Sequence, residues 1–288
     1  MVASPLMAGR FGKGQLLFEG LLAMEHPPRS RQTPRTASWR SGYAEDCKSL
    51  HPGSIPGEAS NFFSEGTSMV DFTQARRMMV DGQLRTFDVN DIPLLDAMDT
   101  VPRERFVLPG REDLAYMDQH ILVGDGAERR FMLAPMILAR MIQGLGVEAG
   151  DKALDVAAGR GYASAVFAEL GAQVTALESD PALAEAARRC LAAAGAAGVA
   201  VESGPLEQGC ARNAPYDAIL LNGAVETRPD ELLRQLAEGG RLVCVKGQGR
   251  AARATLYVRT GDAYGERSLF DAAAPLLAPF TLKPSFTF

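Results

Sequence analysis

The chain has 288 residues, 47% of them hydrophobic, and a formal net charge of −5. That length is sufficient for a buried core, the mildly acidic balance gives no general electrostatic reason to bind nucleic acid, and the lack of any run of about 18 apolar residues argues against a membrane span. Four widely spaced cysteines without a CxxC pair and only three histidines disfavour a disulfide scaffold, a metal site and a His-dependent triad, and they suit the reducing cytoplasm.

Residues 1–68 differ in composition from the rest of the chain. Residues 25–57 are rich in Ser, Pro, Arg and Gly and show no sustained helical or strand period. A segment of this kind cannot bury enough apolar area to offset its chain entropy. We therefore predict a disordered N-terminal extension over residues 1–68 and a folded domain over residues 69–288. An upstream extension of the reading frame is the alternative explanation for the first segment.

The folded domain begins with three predicted helices. Apolar residues recur at helical spacing over residues 71–84, and an Asp cap with a first-turn Pro begins a second helix over residues 91–98. A further Pro begins a third helix over residues 135–145, which glycines end. Residues 69–148 are thus predicted to form a helical lead-in and a long loop, and residues 149–288 the sheet.

Short apolar runs alternate with helical segments from residue 149 onward. This alternation predicts a parallel sheet that is covered on both faces. Residues 227–230 have the pattern of a capping box, and the last two strands are predicted to pair as a hairpin around residues 261–265. The predicted strands are 152–156, 173–178, 199–202, 216–221, 241–245, 255–259 and 268–270, and helices are predicted over 162–170 and 181–194.

Two acids and a glycine turn indicate a nucleoside site at this sheet. The first strand carries Asp155 and leads into a turn with Gly159 and Gly161, and Glu178 ends the next strand. Ligands of open α/β sheets bind beyond the carboxyl ends of the strands, where a carboxylate accepts hydrogen bonds from ribose hydroxyls and glycines permit close approach. An ordinary strand-to-helix turn is the alternative interpretation of the glycines. We predict a nucleoside-containing cofactor.

The residues around the turn favour S-adenosylmethionine over a dinucleotide. A dinucleotide fingerprint requires Gly or Ala where this chain has Ser164. Asp155 would repel a pyrophosphate but attract the amino group and sulfonium of S-adenosylmethionine. Arg160 could meet a phosphate, so a Rossmann oxidoreductase stays open as an alternative. No GxxxxGK[ST] motif is present, which excludes a P-loop.

Several segments together resemble the protein-L-isoaspartate O-methyltransferases, over about residues 69–280. The Val-Pro-Arg-Glu-x-Phe-Val and Ala-Tyr-x-Asp segments are rather specific to that family, whereas the glycine loop and the Pro-Tyr-Asp strand occur in many methyltransferases. The matching segments are residues 79–84, 101–107, 115–118, 122–126, 154–162, 214–219 and 235–243.

The resemblance implies an α/β, Rossmann-like fold of the S-adenosylmethionine-dependent methyltransferases, with a mostly parallel seven-stranded sheet, helices on both faces and an N-terminal helical lead-in. It implies methylation of a carboxylate of damaged protein, so the expected partner is a protein or peptide carboxylate, with neither nucleic acid nor membrane. Such a carboxylate is ionised at pH 7 and needs no general base. The expected cofactor contacts are Asp155, Ala157, Gly159, Gly161, Glu178 and Asn222.

The chain departs from the family at the substrate-side loop. Where the family carries Gly-x-Thr-Ile-Ser-x-Pro, residues 126–135 are Gly-Ala-Glu-Arg-Arg-Phe-Met-Leu-Ala-Pro. The family's Ser and Thr contact the reacting carboxylate and the donor, so we predict that Arg129 or Arg130 pairs with the acceptor carboxylate instead. A solvated charged loop is the alternative. A degenerate module that binds the cofactor without catalysis, or a methyltransferase with a different acceptor, also stays open.

Overall fold

The computed structural model describes residues 71–126 and 128–282, and the predicted extension over residues 1–68 lies outside them. The helices of the described residues are α1 (Phe72–Met79), α2 (Ile92–Thr100), α3 (Pro135–Leu145), α4 (Tyr162–Glu169), α5 (Pro181–Ala193) and α6 (Asp230–Leu233). The strands are β1 (Ile121–Asp125), β2 (Arg129–Met132), β3 (Lys152–Val156), β4 (Gln173–Glu178), β5 (Ala200–Ser203), β6 (Tyr216–Val225), β7 (Leu236–Lys246), β8 (Arg253–Thr260) and β9 (Ala263–Asp271).

Strands β3 to β9 form one seven-stranded sheet in the order β5-β4-β3-β6-β7-β8-β9. The first five of these strands in the chain, β3 to β7, pair in parallel, and β8 lies antiparallel to both β7 and β9. Because both faces of a parallel sheet are covered, its central strands are nearly continuous apolar runs, and β3 and β4 are buried at every residue but the first. The predicted α/β class with a mostly parallel sheet is confirmed.

The two faces of the sheet are covered unequally. Helices α1 to α5 contribute to the core on one face, whereas the short helix α6 and single 3-10 turns cover the other. Helices on both faces were predicted and are found, but the second layer is thin. No helix within residues 71–126 and 128–282 is long and apolar enough to cross a bilayer.

The lead-in helices begin where the sequence predicts because aspartates cap them. The Asp71 carboxylate accepts a hydrogen bond from the Thr73 amide at 3.0 Å, and the Asp91 carboxylate accepts one from the Leu94 amide at 3.2 Å. These bonds satisfy amides that have no partner within a helix. The predicted helix over residues 71–84 changes to a π-helical turn at Val80–Leu84.

The capping box predicted at residues 227–230 is wrong. The Thr227 hydroxyl donates to the Phe280 carbonyl at 3.2 Å, so this side chain joins the last 3-10 turn to the sheet instead of capping a helix. Helix α6 is only four residues long, and no side chain caps it. The competing contact lies 53 residues away along the chain, beyond the reach of a local pattern.

The segment that the sequence indicated as a loop is a β-hairpin. Strands β1 and β2 pair antiparallel as a separate two-stranded sheet, with a bulge between Leu122 and Gly124. This β1–β2 hairpin packs on the start of α5, because a Cβ at Gly124 would lie 2.6 Å from a methyl carbon of Leu183. It also reaches the glycine turn, where a Cβ at Gly159 would lie 3.2 Å from Val123. The hairpin therefore lies over the carboxyl edge of the sheet.

Arg103, in the Val-Pro-Arg-Glu segment, is fully buried. Its Nε donates to the Ala115 carbonyl at 2.7 Å, and its Nη2 donates to the Leu133 carbonyl at 2.7 Å. The guanidinium carbon lies 4.6 Å from the ring centroid of Tyr162, the first residue of α4. One cation thus connects the lead-in, the residue after the β1–β2 hairpin and the helix that follows the glycine turn.

We expect Arg103→Leu to lower the free energy of unfolding by about 3 kcal/mol, because two buried carbonyls lose their donors. Urea denaturation monitored by circular dichroism measures this loss. Arg111→Leu, at an exposed position of the same region, is the matched control and is expected to change stability by less than about 0.5 kcal/mol. Equal stability of the two variants would contradict the structural role of Arg103.

Candidate functional site

The turn after β3 has a backbone that a ligand can approach closely. Gly159 and Gly161 have φ values of +58° and +94°, in the left-handed region that favours glycine. Ala157 also lies there, with φ of +59°, at a cost of about 1 kcal/mol for a residue with a Cβ. The turn is therefore left-handed even at a residue other than glycine.

Asp155, the fourth residue of β3, is fully buried and is held by two neutral donors. The Asn222 amide and the Ser164 hydroxyl each donate to one of its carboxylate oxygens. Asn222 reaches it from a register irregularity of β6 between Leu220 and Ala224. Burial raises the pKa of Asp155 to about 7, with a smaller contribution from the nearby Glu178, although both donors act in the opposite direction.

Glu178, the last residue of β4, is also fully buried. One carboxylate oxygen accepts from the Gly159 amide at 2.9 Å, and the other accepts from the Ser179 amide at 2.8 Å. The first bond fixes the glycine turn against the end of β4. The two predicted acids therefore flank the turn, at the edge of the sheet where such folds bind ligands.

Arg130 forms an ion pair with Glu178. It is 2% exposed, and its Nε lies 3.1 Å from the Glu178 carboxylate. Its Nη2 donates to the Ser179 hydroxyl at 2.7 Å and to the Glu128 carboxylate at 2.8 Å. Because successive side chains of a strand point to opposite sides, Arg129 is exposed, with its guanidinium carbon 5.4 Å from the Phe131 ring centroid.

The cleft between the hairpin and the glycine turn is nearly filled. Its volume is about 10 Å³, near the lower limit for one water molecule. Side chains from both walls line it, including Phe131, Tyr162 and Asn222. The two acids and the turn fit a cationic nucleoside, but in this conformation the side chains of the chain itself occupy the space.

A larger cavity, of about 750 Å³, lies at the opposite edge of the sheet. It is lined by the first residues of β3, β4, β5 and β6, whereas ligands of such sheets bind at the carboxyl ends. The candidate site is therefore the closed cleft and not the larger cavity. Within the described residues, no group of three or more His, Cys, Asp or Glu is placed to hold a metal ion.

Comparison with known proteins identifies the family. The family model described as protein-L-isoaspartate(D-aspartate) O-methyltransferase matches residues 76–271. The chain belongs to this family. The protein-L-isoaspartate O-methyltransferase of Methylorubrum populi is 44% identical over 173 residues, which are 60% of this chain and 80% of that protein. The protein of the same name from Gloeobacter violaceus is 39% identical over 193 residues, which are 67% of this chain and 93% of that protein.

Solved structures show the same fold. A protein-L-isoaspartate O-methyltransferase structure has a TM-score of 0.63 and 23% identity over 70% of this chain and 65% of its own. A Plasmodium falciparum structure described with the same activity, in complex with S-adenosyl-L-homocysteine, has a TM-score of 0.58 and 19% identity over 70% of this chain and 97% of its own. The family, the Rossmann-like methyltransferase fold and the S-adenosylmethionine cofactor were predicted and are confirmed.

The roles of individual residues stay predictions. The structure brings Asp155, Gly159 and Glu178 together as expected, and it places the Asn222 side chain on Asp155. Arg130, predicted to pair with an acceptor, is bound to Glu178 instead. Sequence reasoning used Ser164 only to argue against a dinucleotide and missed its bond to Asp155. Its place in the first turn of α4, after the glycines, was the available signal.

The raised pKa of Asp155 gives a prediction about stability. A carboxyl group whose folded pKa exceeds its unfolded value stabilises the fold when protonated, so its contribution is lost as pH rises from about 4 to about 7. The displacement from the ordinary 3.8 to about 7 corresponds to about 4 kcal/mol at most. We expect Asp155→Asn, which cannot ionise, to be more stable than the parent protein at pH 8, with the difference vanishing near pH 4.

Urea denaturation at a series of pH values measures this difference. Asp262→Asn, at an exposed position of the β8–β9 turn, is the control and is expected to follow the parent protein at every pH. Parallel profiles for Asp155→Asn and the parent protein would show that Asp155 does not titrate in this range.

Proposed function

We propose that this chain transfers the methyl group of S-adenosylmethionine to the carboxylate of isoaspartyl residues in damaged protein, in the cytoplasm. The observation that carries the proposal is the pair of fully buried acids, Asp155 and Glu178, on either side of a left-handed glycine turn. The family assignment over residues 76–271 supports the same reaction.

The two acids suit different parts of the cofactor. Asp155 has only neutral hydrogen-bond donors, so a cationic amino group would supply the opposite charge that this buried carboxylate lacks. Glu178 ends the second strand of the nucleoside unit, where a carboxylate accepts bonds from ribose hydroxyls. When bound, the cofactor supplies an electrophilic methyl carbon on its sulfonium.

The acceptor requires orientation more than acid–base chemistry. A carboxylate is already ionised at neutral pH, so the protein has to align its oxygen with the methyl carbon and exclude water. Arg129 is the better candidate for holding the acceptor, because Arg130 is buried against Glu178 while Arg129 is exposed and packs on the ring of Phe131, which lines the cleft. A guanidinium pairs with a carboxylate through two parallel hydrogen bonds.

A second candidate function is a module that binds the cofactor without methylating an isoaspartyl group. The cleft of about 10 Å³ and the alanine at a left-handed position favour it. So does the replacement of Thr-Ile-Ser in the β1–β2 hairpin.

Calorimetric titration of the full chain with S-adenosylhomocysteine, followed by tritiated-methyl transfer to an isoaspartyl peptide, separates these functions. We expect binding, transfer to the isoaspartyl peptide and no transfer to the matched aspartyl peptide. Binding without transfer would favour the module. Both functions would be overturned if neither the parent protein nor a variant without the Arg130 guanidinium on Glu178 bound S-adenosylhomocysteine.

Asp155→Ala is expected to weaken the binding of S-adenosylhomocysteine at least tenfold, because the buried acid meets the cofactor's cation.

Arg129→Ala tests the acceptor site separately. We expect kcat/KM for the isoaspartyl peptide to fall roughly tenfold, the effect of losing one charged pair, while the affinity for S-adenosylhomocysteine stays the same. Arg267→Ala, at an exposed position of β9, is the matched control for loss of a surface arginine. Unchanged kcat/KM would remove Arg129 from the acceptor site.

A further inference from the structure

One oxygen of the Glu178 carboxylate has no free capacity for a ribose hydroxyl in this conformation. It accepts from the Arg130 guanidinium and from the Ser179 and Asp180 amides, at 3.1, 2.8 and 3.3 Å. The other accepts from the Gly159 amide at 2.9 Å. Arg130 is the only one of these donors that belongs to the β1–β2 hairpin. A ribose that bonds to both oxygens of Glu178 must therefore displace it.

The β1–β2 hairpin is built as a separate unit. Its two strands pair only with each other and not with the seven-stranded sheet. A two-stranded hairpin is marginally stable by itself, so side-chain contacts hold it in place. The contacts that bind it to the carboxyl edge include Arg130 on Glu178 and Ser179, Val123 at Gly159 and Gly124 against Leu183, and its apolar residues Ile121, Val123 and Met132 are buried in the core. Among these contacts, those made by Arg130 are the polar ones.

Glu128 gives Arg130 a partner that moves with it. It lies two residues away in the same hairpin, 2.8 Å from Arg130, and its side chain is 36% exposed. If Arg130 moved away from Glu178 and had no other carboxylate beside it, much of the electrostatic energy of the buried pair would be lost. With Glu128 attached, the hairpin can leave as a unit with one ion pair intact, and the Glu178 carboxylate becomes free for hydroxyl donors.

We propose that the β1–β2 hairpin is a lid over the cofactor site and that Arg130 competes with the cofactor for Glu178. This inference rests on the proposed function, because it assigns Glu178 to the cofactor. The lid explains why the acids and the glycine turn suit a nucleoside while the cleft between the hairpin and the turn holds only about 10 Å³. Cofactor binding then includes the opening of the hairpin, and Arg130 lowers the affinity for the cofactor.

The test is calorimetric titration of the full chain with S-adenosylhomocysteine. We expect Arg130→Met, which keeps the apolar stem but not the charge, to bind about tenfold more tightly than the parent protein. We expect Glu128→Gln to bind S-adenosylhomocysteine more weakly, because Arg130 then has no carboxylate partner when the hairpin moves away from Glu178. Arg267→Met, at an exposed position of β9, is the matched control and should bind as the parent protein does. A merely structural Arg130 would give the opposite sign, since its loss would weaken binding.

Hydrogen exchange of the amides over residues 121–132 supplies a second readout. Without cofactor, we expect faster exchange in Arg130→Met than in the parent protein, and no change in the amides of β3 and β4. If Arg130→Met fails to fold, Arg130→Lys replaces it, with a smaller gain in affinity expected because an ammonium makes one contact where the guanidinium makes several.

The outcomes separate this inference from the proposed function. Equal affinity of the parent protein and Arg130→Met, with equal hairpin exchange, would overturn the lid and leave the proposed function in place. Binding by Arg130→Met alone would support both. Absence of binding by either protein would overturn the proposed function, and the lid with it.

Discussion

Two carboxylates without exposed surface stand at the carboxyl ends of β3 and β4, and the architecture of the site depends on how each is stabilised. A buried ionised group is costly unless it is paired or hydrogen-bonded. Glu178 meets this requirement by accepting hydrogen bonds from the Gly159 amide and from an arginine guanidinium 48 residues earlier in the chain, in the hairpin. The position of the glycine turn and the position of the hairpin therefore have the same electrostatic cause.

The two acids are stabilised in different ways, and the difference has a chemical consequence. Asp155 is held by a hydroxyl and an amide, and burial raises its pKa to about 7, so its protonated and ionised forms are both populated near neutral pH. Glu178 is held by a cation. In the proposed mode of binding, a cationic ligand adds a missing charge at Asp155, whereas a ribose that bonds to both oxygens of Glu178 displaces Arg130. The proposal thus has cofactor binding favoured at one end of the turn and opposed at the other.

The sequence predicted the sheet well and the hairpin poorly, for physical reasons. The bounds of α3, β3 and β4 match the predictions because apolar runs there are ended by Gly, Pro or Asp. The β1–β2 hairpin has short strands, two adjacent arginines and a bulge, so its period is weak and it resembled a charged loop. The acids of the site could be found because they follow strands. The partner of Arg130 could not, since a pairing across 48 residues leaves no local pattern.

The replacement of Thr-Ile-Ser and the closed cleft are two aspects of one change. The family's motif would present small hydroxyl groups to the acceptor, but this chain has Arg-Arg-Phe-Met in a strand at that place. Strand alternation places Arg130 inward, on Glu178, and Arg129 outward, towards solvent. The two adjacent arginines therefore lie on opposite sides of the hairpin. If both proposed roles hold, acceptor recognition and cofactor access depend on the same β1–β2 hairpin, because Arg129 and Arg130 are adjacent in β2. A partner that pairs with Arg129 would then also act on the element that carries Arg130.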